Sequence, residues 1–88
     1  MPKEVLLSTP AQKAFNALDG STKERVRKSL GRLAYTVAGD IKRLKGVKGR
    51  EILLRSRVGD YRIVFRDDPD AIRVTQMFHR GKGYDWLD

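Results

Sequence analysis

The sequence predicts an α+β domain. An N-terminal strand is followed by an antiparallel helical hairpin that packs on one face of a small, mainly antiparallel four-stranded sheet, in the order β-α-α-β-β-β. Three observations lead there. The stretch Arg55 to Arg66, RSRVGDYRIVFR, alternates large apolar residues with arginines and is interrupted once, at Val58-Gly59-Asp60. Alternation of period two marks half-buried strands, and a glycine beside an aspartate supplies the tight turn of a hairpin. Upstream, two stretches carry apolar residues at helical spacing behind cap-type residues. The length, 88 residues, suits one domain, residues 1–88, with a single modest core.

Taken in order, Glu4 to Thr9 is a short strand centred on Val5, Leu6 and Leu7. Thr9-Pro10 opens a helix, with Thr9 as N-cap and Pro10 at the first helical position, where its missing N–H costs nothing. Ala11, Ala14, Phe15 and Leu18 form its apolar face, and Asp19-Gly20 ends it. Ser21 with Glu24 reads as a capping box starting a second helix. Val26, Leu30, Leu33, Ala34 and Val37 form that helix's stripe, and Gly39 closes it. Lys23, Arg25, Arg27, Lys28 and Arg32 occupy the opposite face, where contact with RNA competes with simple solvation. Asp40 to Gly49 is basic and glycine-punctuated, an irregular connection or a loop whose lysines reach phosphate. In the hairpin, Tyr61, Ile63 and Phe65 point to the core, and Arg62, Val64 and Arg66 point away. Asp67-Asp68-Pro69-Asp70 is a turn. Ala71 to Phe78 is the last strand, and its alternation slips near Gln76 and Met77, as at a bulge.

Composition narrows the function. The net charge is +8, from 19 Lys and Arg against 11 Asp and Glu, so the partner is expected to be anionic. Without cysteine, neither a disulfide nor a thiolate metal site is available, and the one histidine rules out a histidine pair. No metal-site spacing such as H-E-x-x-H occurs, and no cofactor is expected. No apolar run reaches the ~18 residues of a membrane span. These features predict a soluble cytoplasmic protein whose functional surface is the arginine side of the sheet, left open opposite the helices.

The order strand, helical hairpin, R-x-R-x-G-D-Y-R-I-V-F, then a last strand running into H-R-x-x-x-Y resembles the RelE/ParE superfamily of toxin–antitoxin toxins over essentially the whole chain. The specific parts are Arg55 to Phe65 and His79 to Tyr84. The resemblance implies a toxin that cleaves mRNA on the ribosome and inhibits translation, with a cognate antitoxin, the ribosome and mRNA as partners. ParE-like members instead inhibit DNA gyrase. The basic residue and tyrosine beyond the last strand, Arg80 and Tyr84, favour the RelE-like branch, and a non-catalytic basic RNA-binding module is the further alternative. Arg62 matches the arginine of the G-D-Y-R motif. Arg55 stands where RelE-like enzymes often carry a catalytic lysine or arginine, and Arg57 matches a further basic position. Leu53 stands where some members place a second lysine, with Glu51 beyond it, and Trp86 follows a tyrosine spaced closer to Arg80 than in some members.

The chemistry implied is metal-independent attack of a 2′-hydroxyl on the adjacent phosphate. Arg55, Arg62 and Arg80 suit the clamping of a phosphate and its transition state, because guanidinium offers five donors and stays protonated. Tyr84 is a candidate base, since nearby arginines favour its phenolate, and it could equally stack on a nucleobase. His79 is the residue best suited to acid–base chemistry near neutral pH. Arg55, Arg62, Arg80 and Tyr84 are thus the catalytic candidates. Arg57, Lys45, Lys48, Lys82 and His79 are candidates for RNA binding.

Overall fold

The computed structural model describes residues 2–44 and 52–81. Its elements are β1 (Glu4–Leu7), α1 (Thr9–Asn16), α2 (Gly20–Leu33), β2 (Ile41–Arg43), β3 (Leu54–Val58), β4 (Tyr61–Asp67) and β5 (Ala71–His79). The expected α+β architecture is present, with one strand more than the four anticipated. The sheet runs β1-β5-β4-β3-β2. β1 pairs parallel with β5, and every other pairing is antiparallel. The added strand, β2, is only three residues long and lies in the stretch read as an irregular connection. Three residues are too few for a periodicity to register in the sequence.

Both helices start one or two residues earlier than their cap residues suggested. Ser8, not Thr9, caps α1, its hydroxyl accepting from the Ala11 amide at 3.2 Å. Asp19, not Ser21, caps α2, its carboxylate accepting from the Thr22 amide at 3.2 Å. In each place two side chains capable of capping stand close together, and the one that wins is the one whose backbone is already extended. α2 also stops at Leu33, with Ala34 as C-cap. Gly39, at φ +100°, therefore turns the chain into β2 instead of closing the helix.

The main core lies between the helices and the sheet. Ala11, Leu18, Val26, Leu30 and Leu33 meet Ile63, Phe65, Ile72, Val74 and Met77, with Phe15, Val37, Leu54 and Tyr61 packed around them. The expected slip in β5 is present. Phe65 pairs with Val74 and Val64 with Gln76, so Thr75 is the extra residue of a bulge. Its hydroxyl donates to Val64 O at 3.2 Å, while Ser8 Oγ donates to Thr75 O at 2.7 Å and ties the bulge to the start of α1. The bulge exchanges parity: Ile72 and Val74 face the core before it, and Met77 after it. Among the described residues no helix is long and apolar enough to cross a membrane.

Candidate functional site

The β3–β4 hairpin is built as its sequence implies. Val58 pairs with Tyr61 across the two-residue turn Gly59-Asp60. Gly59 has φ +59°, and no non-glycine residue among those described has a positive φ. That is the pattern of a type II′ turn, whose twist suits a hairpin. Register then sets the open face of the sheet, since paired residues project to the same side. Arg57 lies opposite Arg62, and Arg62 opposite Phe78. One row away, Lys42, Arg55, Val64 and Gln76 are aligned across four strands. Three of the predicted site arginines, Arg55, Arg57 and Arg62, are therefore brought together on one face.

This face is not the open array of guanidinium groups that alternation suggested. Arg55 and Arg62 are 3% and 5% exposed. They sink beside a second apolar cluster, Leu44 and Val64 with Leu53 and Phe78 packed on it. Period-two alternation reports which side a residue takes and says nothing about depth. The buried guanidinium groups are satisfied. Arg55 Nη1 lies 3.3 Å from Asp40 Oδ1, and Arg62 Nη1 donates to Gly59 O at 3.1 Å and Tyr61 O at 3.2 Å. No buried side-chain nitrogen or oxygen among the described residues lacks a partner. Arg57 is exposed and lies 3.7 Å from the other Asp40 oxygen. Asp40 thus holds two site arginines in place, a role hidden in the sequence because it stands 15 residues before Arg55.

At the turn of the same hairpin, Arg80 follows β5 directly. Its backbone N–H donates to Asp60 O at 2.8 Å, extending the β4–β5 ladder by one bond. Its side chain is 62% exposed, with Nε 3.5 Å from Asp60 Oδ1. His79 goes elsewhere. It pairs with Tyr61 and meets that ring edge-on at 5.4 Å between centroids, on the side of the sheet that carries the helices. Its Nδ1 accepts from the Gly81 amide at 3.1 Å. His79 is therefore separated by the sheet from Arg55 and Arg62. Tyr84, Lys45, Lys48 and Lys82 lie outside the described residues. No group of three or more His, Cys, Asp or Glu capable of holding a metal occurs among the described residues.

The sequence matches no family model and no curated protein. Solved structures do match. A chain of the archaeal RelE–RelB complex from Pyrococcus horikoshii aligns with a TM-score of 0.76 at 25% identity, over 93% of this chain and 99% of that one. The chain has the RelE-like toxin fold. A RelB–RelE antitoxin–toxin complex from Methanococcus jannaschii gives 0.67 at 24% identity, covering 94% of this chain and 99% of that one. The free E. coli toxin RelE, as a mutant, gives 0.67 at 17% identity over 94% and 88%. The superfamily read from G-D-Y-R-I and its neighbours is thus borne out as a fold. Arg62 and Arg80 thus meet at the hairpin turn, held by Gly59 and Asp60, while Arg55 and Arg57 are held by Asp40.

Proposed function

We propose that this protein is the toxin of a toxin–antitoxin pair and acts as a ribosome-dependent, metal-independent endoribonuclease on mRNA. The observation that supports this most is the register that gathers Arg55, Arg57 and Arg62 on one face of a RelE-like sheet, with Arg80 at its edge. Arg62 and Arg55 are held by buried hydrogen bonds, so their positive charge is fixed before substrate arrives. A preorganised cation of this kind stabilises a crowded, doubly charged phosphorane without reorganising. Arg80, exposed and tethered only at 3.5 Å, is free to move onto a phosphate. Tyr84 remains the proposed base, with Lys45, Lys48, Lys82 and Arg57 holding the strand.

The site is rich in charge stabilisation and poor in proton transfer, since His79 lies across the sheet. Such a site needs its substrate delivered in a reactive geometry, and a ribosome-bound message supplies that proximity. The working location would then be the cytoplasm. The similar solved structures include complexes of RelE with RelB, and this basic protein is proposed to be masked in the same manner by an acidic antitoxin.

The test is addition of the protein to a translating extract, with mapping of message ends. Cleavage is expected, and Arg62→Ala and Arg80→Ala should each lower its rate by about 10²–10³. Intact messages at high protein concentration, above all with trapped gyrase–DNA complexes, would overturn the reading.

A further inference from the structure

A second basic surface lies between the hairpin and α2, reached by Arg57 at its rim. A groove of about 290 Å³ runs between α2 and the β3–β4 turn, with Arg25, Lys28 and Arg32 on its helical wall and Arg57, Val58 and Gly59 opposite. The three helical cations stand at i, i+3 and i+7, which places them on one stripe spanning about 10 Å at 1.5 Å per residue. All three are exposed. Arg25 and Arg32 make no ion pair among the described residues. Their neighbour Arg27 behaves differently: it hydrogen-bonds Glu24 through Nε at 3.0 Å, and that bond holds the Glu24 carboxyl below its ordinary range. The hydrogen bonds of the one acid on α2 thus go to Arg27, and although its charge also reaches Lys28, the groove stays net positive.

The two walls of the groove meet at the turn. The Arg25 guanidinium lies against Gly59 so closely that a Cβ there would sit 2.9 Å from Nη2. Val58 is its one apolar side chain, too little to receive the hydrophobic face of a peptide helix. Repeated cations at helical spacing suit a repeating anion.

We infer that the groove between α2 and the β3–β4 turn binds the phosphodiester backbone of an RNA strand through Arg25, Lys28 and Arg32, beside Arg57 and apart from the buried Arg55 and Arg62. The inference deepens the RNA-directed reading above, and its test does not use cleavage. Binding of a fluorescent single-stranded RNA 20-mer is measured by anisotropy across a salt series. Each phosphate neutralised contributes a slope of about −0.7 in log K against log salt. The triple variant Arg25→Gln, Lys28→Gln, Arg32→Gln should therefore bind more weakly and lose about 2 from the slope. Arg27→Gln should bind like the parent. The single variant Lys28→Gln, losing about 0.7, supplies the same readout should the triple fail to fold by circular dichroism. An unchanged slope in the substituted protein overturns the inference. So does an unchanged RNA affinity together with lost binding to a poly-glutamate peptide, which would assign the groove to an acidic protein segment. Salt-dependent RNA binding without message cleavage would sink the proposed activity and leave this groove standing, and cleavage with an unchanged slope would do the reverse.

Discussion

On β4, Ile63 and Phe65 face the helices and are fully buried, while Arg62 and Val64, facing away, are almost as inaccessible. The two faces of one strand reach similar depth by different means. Toward the helices, burial is aliphatic and aromatic, and it is stabilising in proportion to the area removed from water. On the other face a small apolar cluster surrounds guanidinium groups whose burial is a cost, offset by carbonyl and carboxylate partners. The first face therefore holds the fold together. The second spends part of that stability to fix charge, as expected of a surface organised for function.

The comparison can be broken most directly at neighbouring residues. Phe65→Ala should destabilise the protein by about 3–5 kcal/mol in chemical denaturation, whereas Val64→Ala, on the far side, should cost about 2 kcal/mol. Equal losses would mean that the second cluster is as much a core as the first. Arginine substitutions sharpen it next. Arg62→Ala should cost about 1–3 kcal/mol by stranding the Gly59 and Tyr61 carbonyls. Arg80→Ala, at the surface, should stay within about 0.5 kcal/mol. A thermal melt that does not separate these two would show that burial of Arg62 carries no structural weight.

Gly59 is touched from both sides, by Arg25 from the helical side and by Arg62 Nη1 at 3.1 Å from the other. Gly59→Ala should cost about 1–2 kcal/mol, mostly from the left-handed φ, because the tip of Arg25 can shift aside. The smallest effect concerns the helical layer alone. The Thr22 hydrogen bonds hold the Asp19 carboxyl below its ordinary range, so its folded-state pKa is depressed relative to about 3.9 in an unfolded chain. The sign follows: its contribution is complete above the unfolded value and is lost as pH falls through the folded one. Asp19→Asn keeps a good neutral cap. Its melting temperature should fall less than that of the parent in acid, and parallel curves would remove Asp19 from the acid response.

Much of this contrast was legible in the sequence. Gly59-Asp60 marked the hairpin, the parity of Tyr61, Ile63 and Phe65 marked the core side, and the slip near Gln76 marked the bulge that the structure places at Thr75. What stayed hidden depends on contacts between distant segments. The burial of Arg55 and Arg62 needs the cluster of Leu44, Leu53, Val64 and Phe78, which come together only when the strands align. Asp40 becomes a site residue only through β2, too short to announce itself. His79 had the right chemistry for the arginine face, but the parity exchange at Thr75 carries it to the opposite one. Ser8 and Asp19 cap the helices in place of Thr9 and Ser21, because capping propensity alone does not choose between nearby polar residues.

The parallel pairing of β1 with β5 has a bearing on how the molecule is made. Glu4 aligns with Ala71 and Leu7 with Val74, so β1 finds its sheet partner only once β5, more than sixty residues later in the sequence, is in place. Contacts of such sequence separation close late and slow the overall rate. Until then Val5 and Leu7 lack their sheet, and the bulge lacks its tie to Ser8. The helices and the central hairpin have local partners before β5 exists, whereas the edge of the sheet formed by β1 cannot close until it does.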